Sequence, residues 1–363
     1  MRNKKKNSGR TALIVLLALV LIIGIAAFST YNGIKNYDKP LDASSDAVVD
    51  FVVPQGASTT KIAKLLMDAG LIKSDQIFKL KSKLNNLDGK FQAGEYELKA
   101  SMGMNEIMSK LQDAKRETRK ITIKEGWKLM EIADYLEKEG VCTKADFIKS
   151  LENDAFDQWF VSQLEEKYPD PTGTFSAKAN KFEGFLFPST YEIYVDASPR
   201  FVINKMLNQF AKIFTEDLQK QQKESGYSLQ EIITVASLIE GETVLDSERP
   251  LVASVIYNRL NGNATGKKLQ IDRTVLYALG YHKDRVLYKD LEIDSPYNTY
   301  KYAGLPAGPI NSPGEACIKA ALNPADTKYL YYVVSSKGDG SHKFTSSYSQ
   351  HVTNSNEYKD SIK

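Results

Sequence analysis

The sequence predicts an α+β protein. Three observations predict it. A strand–turn–helix unit occurs twice at a constant offset of 70 residues, amphipathic helical segments fill 199–214, 228–242 and 249–260, and an alternating Tyr- and Val-rich run occupies 328–336. The chain has 363 residues, enough for two or three domains, and its 42% hydrophobic and 26% charged residues are those of a folded protein.

The elements begin at a basic start. "MRNKKKNSGR" holds five of the positive charges, so the formal net charge of +3 leaves the rest of the chain at about −2, which excludes a basic nucleic-acid footprint. Ala12–Phe28 follows, 17 residues without a polar side chain. That length is at the lower end for a membrane span and long for a signal-peptide core, and the preceding lysines put the N-terminus in the cytoplasm. The small residues of "GIAAFS" leave a cleaved signal peptide as the alternative. Residues 29–46 are polar and aperiodic and read as a tether.

The repeat comes next. "FVVPQGASTTKIAKLLMDAGLI" (51–72) matches "ITIKEGWKLMEIADYLEKEGVC" (121–142), with Gly56, Ile62, Ala63, Leu66 and Gly70 aligned on Gly126, Ile132, Ala133, Leu136 and Gly140. Each copy reads as a β-branched strand, a Gly turn, an amphipathic helix and a Gly stop. With its continuation "FQAGEYEL", the first copy resembles a LysM-like module, a small fold that binds N-acetylated glycans. A plain spacer fold is the alternative, since the matched positions are fold residues.

Cys142 and Cys317 are the only cysteines and lie in no CxxC or Cys/His cluster; one disulfide between them stays open. His282, His342 and His351 have no zinc-ligand spacing, and no cofactor motif occurs, so none is expected. His351, alone in a polar segment, reads as a surface residue.

The chemistry concentrates in "ASLIEGET" (236–243). On a helix Glu242 lies three, four and seven residues from Ile239, Leu238 and Val235, so it continues an apolar stripe. Glu240 falls on the flank of Ala236 and Ser237. A carboxyl held against apolar surface loses hydration and titrates higher, as a general acid near neutral pH requires. Spacing alone equally allows a frayed last turn with both acids in water.

Six motifs in order then carry a resemblance: "EGFLFPSTY", "ASLIEGET", "VASVIYNRL", "LQIDRTVLYALG", "SPYNTYKYAGLPAGPI" and "ALNPADTKYLYYVV". Over nearly the whole chain after the apolar run, the sequence resembles the endolytic murein transglycosylase family (YceG-like). In that family the second acid of a Glu-x-Glu pair is catalytic, which implies Glu242. Three positions depart from the family pattern: Gly241 stands where Lys is usual, Ser189 where the family's motif has an acid, and Arg273 where it has Pro. None removes the key carboxyl.

The resemblance implies a lytic transglycosylase that cleaves the β-1,4 bond between N-acetylmuramic acid and N-acetylglucosamine without water and leaves 1,6-anhydromuramic ends. Its implied partners are peptidoglycan strands, the cytoplasmic membrane, penicillin-binding synthases and the elongation machinery. Tyr297, Asn298, Gln270 and Tyr300, in that order, are expected to contact sugar, by stacking and by hydrogen bonds to acetamido groups. Arg259 is expected to tie two helices together. Glu240 and Asp272 stand as alternative second acids; a hydrolase pairing Glu242 with Asp272 or Asp246, and a non-catalytic glycan-binding scaffold, are the rival readings. The expected organisation is a cytoplasmic tail (1–11), a transmembrane anchor (12–29), a tether (30–46), the LysM-like module (47–115), a second strand–helix module (116–174) and an extracytoplasmic catalytic domain (175–363).

Overall fold

The computed structural model describes residues 37–362, except Gln55, 113–116, His282, Asp284 and Arg285, together with the isolated Leu17 and Leu21. Apart from those two leucines, the basic tail 1–11 and the expected anchor 12–29 lie outside the described residues. Among the described residues no helix is long and apolar enough to cross a membrane. The chain divides into two compact units, Met1–Arg116 and Glu117–Lys363, both mixing helices with two-stranded sheets.

In the first unit β1 (Val48–Val53) pairs antiparallel with β2 (Gly94–Lys99), Val48 opposite Lys99 and Val53 opposite Gly94. The two-residue period buries Phe51 and Val53 and turns Val52 outward. Between the strands lie α1 (Thr59–Asp68) and α2 (Asp75–Leu84). Ser58 and Ser74 start these helices, their hydroxyls accepting the N–H groups of Lys61 (3.3 Å) and Ile77 (3.4 Å). Ile62, Ala63, Leu66 and Phe78 close a core with Ile107 and Met108 of α3 (Met104–Lys110). The described part of the expected tether is bound to this unit. The Asp42 N–H donates to the Ala100 carbonyl (3.1 Å), and Asp38 accepts from the Met104 N–H (3.3 Å) and pairs with Lys81. The order is strand, helix, helix, strand; kinship to LysM modules stays an expectation of the sequence.

The second copy of the repeat keeps the same order. β3 (Thr118–Ile123) is followed by α4 (Leu129–Lys138) and α5 (Lys144–Asn153), and it pairs antiparallel with β4 (Ser189–Tyr194). Residues 154–188 separate α5 from β4, where the first copy uses only 85–93; they include the short α6 (Ala177–Asn180) and most of "EGFLFPSTY". Segments 116–174 and 175–363 therefore share a sheet across the expected boundary. They also share a core, in which Ile121, Ile123 and Leu129 join Phe185, Ile233 and Leu238.

The rest of this unit is helical: α7 (Pro199–Ile213), α8 (Glu216–Ser225), α9 (Leu229–Glu242), α10 (Arg249–Asn261), α11 (Asp272–Leu279) and α12 (Glu315–Leu322). A hairpin of β5 (Tyr331–Val334) and β6 (His342–Thr345) and a terminal α13 (Tyr348–Ser361) complete it. α9 is the central element. Ser228 and Glu231 form its capping box, and α10, α11 and α12 pack against it. Ile232 through Ile239 are all buried, so the helix is enclosed all round and the apolar stripe is wider than the spacing suggested. Ser237 enters this core with both bonds met: its hydroxyl donates to the Thr234 carbonyl (2.8 Å) and accepts the Ile310 N–H (3.1 Å). Cys142 and Cys317 are free thiols.

Candidate functional site

A fully buried helix has only its ends to offer a ligand, and α9 ends on Glu242. Ile239, Leu238 and Val235, one and two turns back, are completely buried. Glu242 keeps partial exposure at the junction of two cavities of about 440 and 500 Å³ that both count it in their walls. Burial pushes its carboxyl above the ordinary range. The Tyr332 hydroxyl and the Arg273 charge pull it back, Asp272 raises it, and His342 lowers it.

The Tyr332 hydroxyl donates to Glu242 Oε2 at 2.8 Å. Tyr332 reaches the helix end because the β5–β6 hairpin is tied down there. Glu248, at the N-cap of α10, accepts both the backbone N–H of His342 (2.8 Å) and the approach of its Nδ1 (2.7 Å). The His342 ring meets Tyr332 edge-on, centroids 5.6 Å apart. Thr243, which caps α9, also donates to Glu248 (3.3 Å). One buried carboxylate thus fixes helix end, hairpin and the tyrosine that touches Glu242. Tyr332 escaped the sequence reading; the only signal was the alternation of "KYLYYVVSS", which does not say which tyrosine faces inward.

The 440 Å³ cavity collects Gln270, Asp272 and Tyr300 beside Glu242, together with Arg259, Tyr331, Tyr332 and His351. Gln270 sits at φ +55°, its N–H bonded to the Thr299 carbonyl (3.1 Å) and its side-chain oxygen accepting from Arg259, which leaves the amide N–H groups unspent among the described residues. Arg259 binds the Lys268 carbonyl (3.0 Å) and the Leu330 carbonyl (3.3 Å), so it ties α10 to the 268–270 loop and the start of the hairpin. The Tyr300 hydroxyl donates to Asp272. His351 is half-buried in this wall, stacked on Tyr331 at 5.2 Å, and burial lowers its pKa; the lone-surface reading does not describe it.

Tyr297 and Asn298 lie elsewhere. Asn298 is completely buried, donating to the Leu291 (2.8 Å) and Ile293 (2.9 Å) carbonyls and accepting the Tyr300 N–H (3.0 Å). The Tyr297 hydroxyl accepts from Asn180 (3.2 Å), its ring 4.7 Å from that of Tyr277. Their polar groups are spent on protein, so they hold the loop that presents Tyr300. Asp246 is exposed and paired with Arg249 (2.7 Å).

On the other side, Glu240 lines the 500 Å³ cavity and accepts the Gly314 N–H at 2.9 Å. Gly241 separates the acids, and its substituent position is filled by Arg273: a Cβ there would stand 3.1 Å from Arg273 Cγ. Arg273 Nε donates to the Gly241 carbonyl at 3.0 Å. Two of the positions that depart from the family pattern are therefore in contact, and Arg273 brings a cation to the gap between the acids. A larger cavity, about 940 Å³, lies at the opposite end of α9 beside Gln230 and Thr234 and contains none of the candidate residues. Among the described residues no cluster of His, Cys, Asp or Glu is placed to hold a metal ion.

Comparison with known proteins meets this geometry from another side. The YceG-like family profile matches residues 51–357. An endolytic murein transglycosylase of Bacillus subtilis is 39% identical over 310 residues, 84% of each chain. One from Streptococcus pneumoniae is 31% identical over 340 residues, 88% of this chain and 60% of the relative. A crystal structure of a yceG-like protein from Listeria monocytogenes superposes with a TM-score of 0.54 at 34% identity, covering 84% of this chain and 98% of the other. With a profile match over most of its length and a relative this similar across both chains, the protein belongs to the YceG-like family.

Proposed function

We propose that the chain is a membrane-anchored lytic transglycosylase that cuts inside nascent peptidoglycan strands at the bond from N-acetylmuramic acid to N-acetylglucosamine. The observation that carries this reading is Glu242, a part-buried carboxyl with a raised pKa and one tyrosine donor, standing where two cavities meet. A site open on both sides of the acid suits a polymer passing through it, and relatives carrying the name endolytic murein transglycosylase support the reaction class. The apolar run Ala12–Phe28 supports the anchor, which would keep the site near emerging strands.

The chemistry needs one carboxyl in two roles. Protonated Glu242 gives its proton to the glycosidic oxygen as the C1–O bond breaks, and Tyr332 steadies the carboxylate that forms. The C6 hydroxyl of the same muramic residue attacks C1, and its proton returns to Glu242. No water is consumed, the leaving strand keeps a free 4-hydroxyl, and the other strand ends in a 1,6-anhydro ring. Intramolecular attack gains from high effective concentration. An ordinary glycosidase would need a second carboxylate. Asp272 lines the same cavity, which keeps a Glu242–Asp272 hydrolase as the alternative, but its carboxylate is engaged by Tyr300.

Mass spectrometry of products from the full-length protein on nascent glycan separates the readings. Anhydro ends from wild type, absent with Glu242→Gln, are expected. Reducing ends would make the protein a hydrolase, and retention of uncut glycan by both proteins would make it a scaffold.

A further inference from the structure

The cavity on the Arg273 side has a branch. Lys128, Glu131 and Tyr281 line both the 500 Å³ cavity and a smaller one of about 180 Å³ that runs to Asp170, Glu183 and Tyr277. A straight strand passing Glu242 has no need of a side channel; a substituent on one of its sugars has.

The charges of this branch are unequally committed. Glu131 accepts the Lys128 backbone N–H (2.8 Å), and Glu240 accepts the Gly314 N–H (2.9 Å). Glu183 accepts the Leu129 N–H (3.0 Å) and the Tyr277 O–H (3.0 Å), and Asp170 accepts the Thr172 N–H (2.9 Å). Every acid is thus held by protein donors. Of the cations, Lys283 is paired with Asp290. Arg273 spends only Nε, on a backbone carbonyl, and Lys128 lies over the Tyr277 ring at 5.8 Å. Among the described residues neither forms a salt bridge, although the Arg273 charge reaches Glu242 and the Lys128 charge reaches Glu183. The hydroxyl and acetamido groups of the glycan are uncharged, and the lactyl carboxyl of a muramic residue is neutral once amide-linked to a peptide. The carboxylates that call for cations are therefore the peptide's own, and the guanidinium fork suits them.

We propose that this branch receives the acidic stem peptide borne by muramic residues, with Arg273 and Lys128 as its carboxylate-binding side chains. The assignment rests on the transglycosylase reading of the same site and specifies its substrate as peptide-bearing glycan. Arg273 is exposed in the wall of the larger cavity and Lys128 is half-buried where the two cavities join, so a peptide entering the branch meets them in that order.

The test compares one glycan polymer in two forms, with stem peptides and after their removal by an amidase and amidation of the lactyl carboxyl that this exposes. Full-length wild type, Arg273→Gln, Lys128→Gln and the double variant are assayed for anhydro ends on both. Charge-assisted hydrogen bonds of ordinary strength predict that the ratio of kcat/KM, peptide-bearing over stripped, falls about tenfold in the double variant, chiefly through KM. A fold defect, or an effect of Arg273 on Glu242, lowers both rates and leaves the ratio alone. An unchanged ratio overturns the proposal. Should wild type cut neither polymer, the transglycosylase reading fails separately. Retention of the two polymers by immobilised Glu242→Gln protein, with and without the Arg273 and Lys128 changes, then decides the peptide site: equal retention sinks it.

Discussion

Removing the Tyr332 hydroxyl is the sharpest test of how Glu242 is tuned. The O–H donates to Oε2 at 2.8 Å and is the foremost influence drawing the raised pKa back down. A hydrogen bond to a charged group contributes about 1.5–3 kcal/mol, and this one favours the carboxylate. In the proposed step Glu242 becomes that carboxylate while the glycosidic bond breaks, so the bond strengthens toward the transition state. With each 1.36 kcal/mol worth a factor of ten, Tyr332→Phe should lower kcat by about 10- to 100-fold. The sign on pH follows from the same bond. Without the donor the protonated acid is favoured further, so the alkaline limb of the kcat–pH profile moves up while the plateau drops. The assay is release of anhydro ends across pH, with thermal melting to show that the hairpin still folds. An unchanged kcat, or an alkaline limb that moves down, would refute the argument.

Other outcomes follow from the same structure. Glu242→Gln should raise Tm as well as stop the reaction. The folded carboxyl titrates above the unfolded one, so stability is lost as pH rises through that window, and the gain should be larger at about pH 8 than at about pH 4. Glu183 is pushed up to about 7 by burial, and its folded form therefore holds the extra proton between 4.5 and that value. A shift of that size is worth roughly 3 kcal/mol, and Glu183→Gln should flatten the fall of stability over the window, read by urea titration at several pH values. Gly184 has φ +84° and leaves only 2.6 Å between a new Cβ and Pro309 Cβ; Gly184→Ala should cost about 2 kcal/mol or more, visible as a lower urea midpoint. Asn298→Ala should lower Tm by losing four side-chain hydrogen bonds, whereas Gln270→Ala, which removes one acceptor from Arg259, should lower Tm less and raise KM.

Helix α9, strand β5 and both copies of the repeat were legible because hydrophobic period, caps and turn residues are local. Ser228 with Glu231 marks the start of α9, and the 70-residue offset places β3 on β1. The partner of β3 was not legible, because β4 begins inside "EGFLFPSTY", separated from α5 by the 35 residues 154–188, with no local pattern that marks it as the return strand of the repeat. Which loop side chains face the cavity was not legible for a related reason. "SPYNTY" gives the same chemical types whichever way they point, and burial turned Tyr297 and Asn298 inward while leaving Tyr300 in the cavity wall.

The sequence by itself determined that an acid would stand at the end of the apolar helix, since spacing along one helix is fixed by 3.6 residues per turn. Tertiary structure alone decided what surrounds that acid. Tyr332 comes from 90 residues away, Arg273 crosses 32 residues to lie over Gly241, and Glu248 anchors the hairpin that delivers the tyrosine. These contacts depend on how elements distant in the chain pack together, and packing is set by the sum of the core, which no local pattern records.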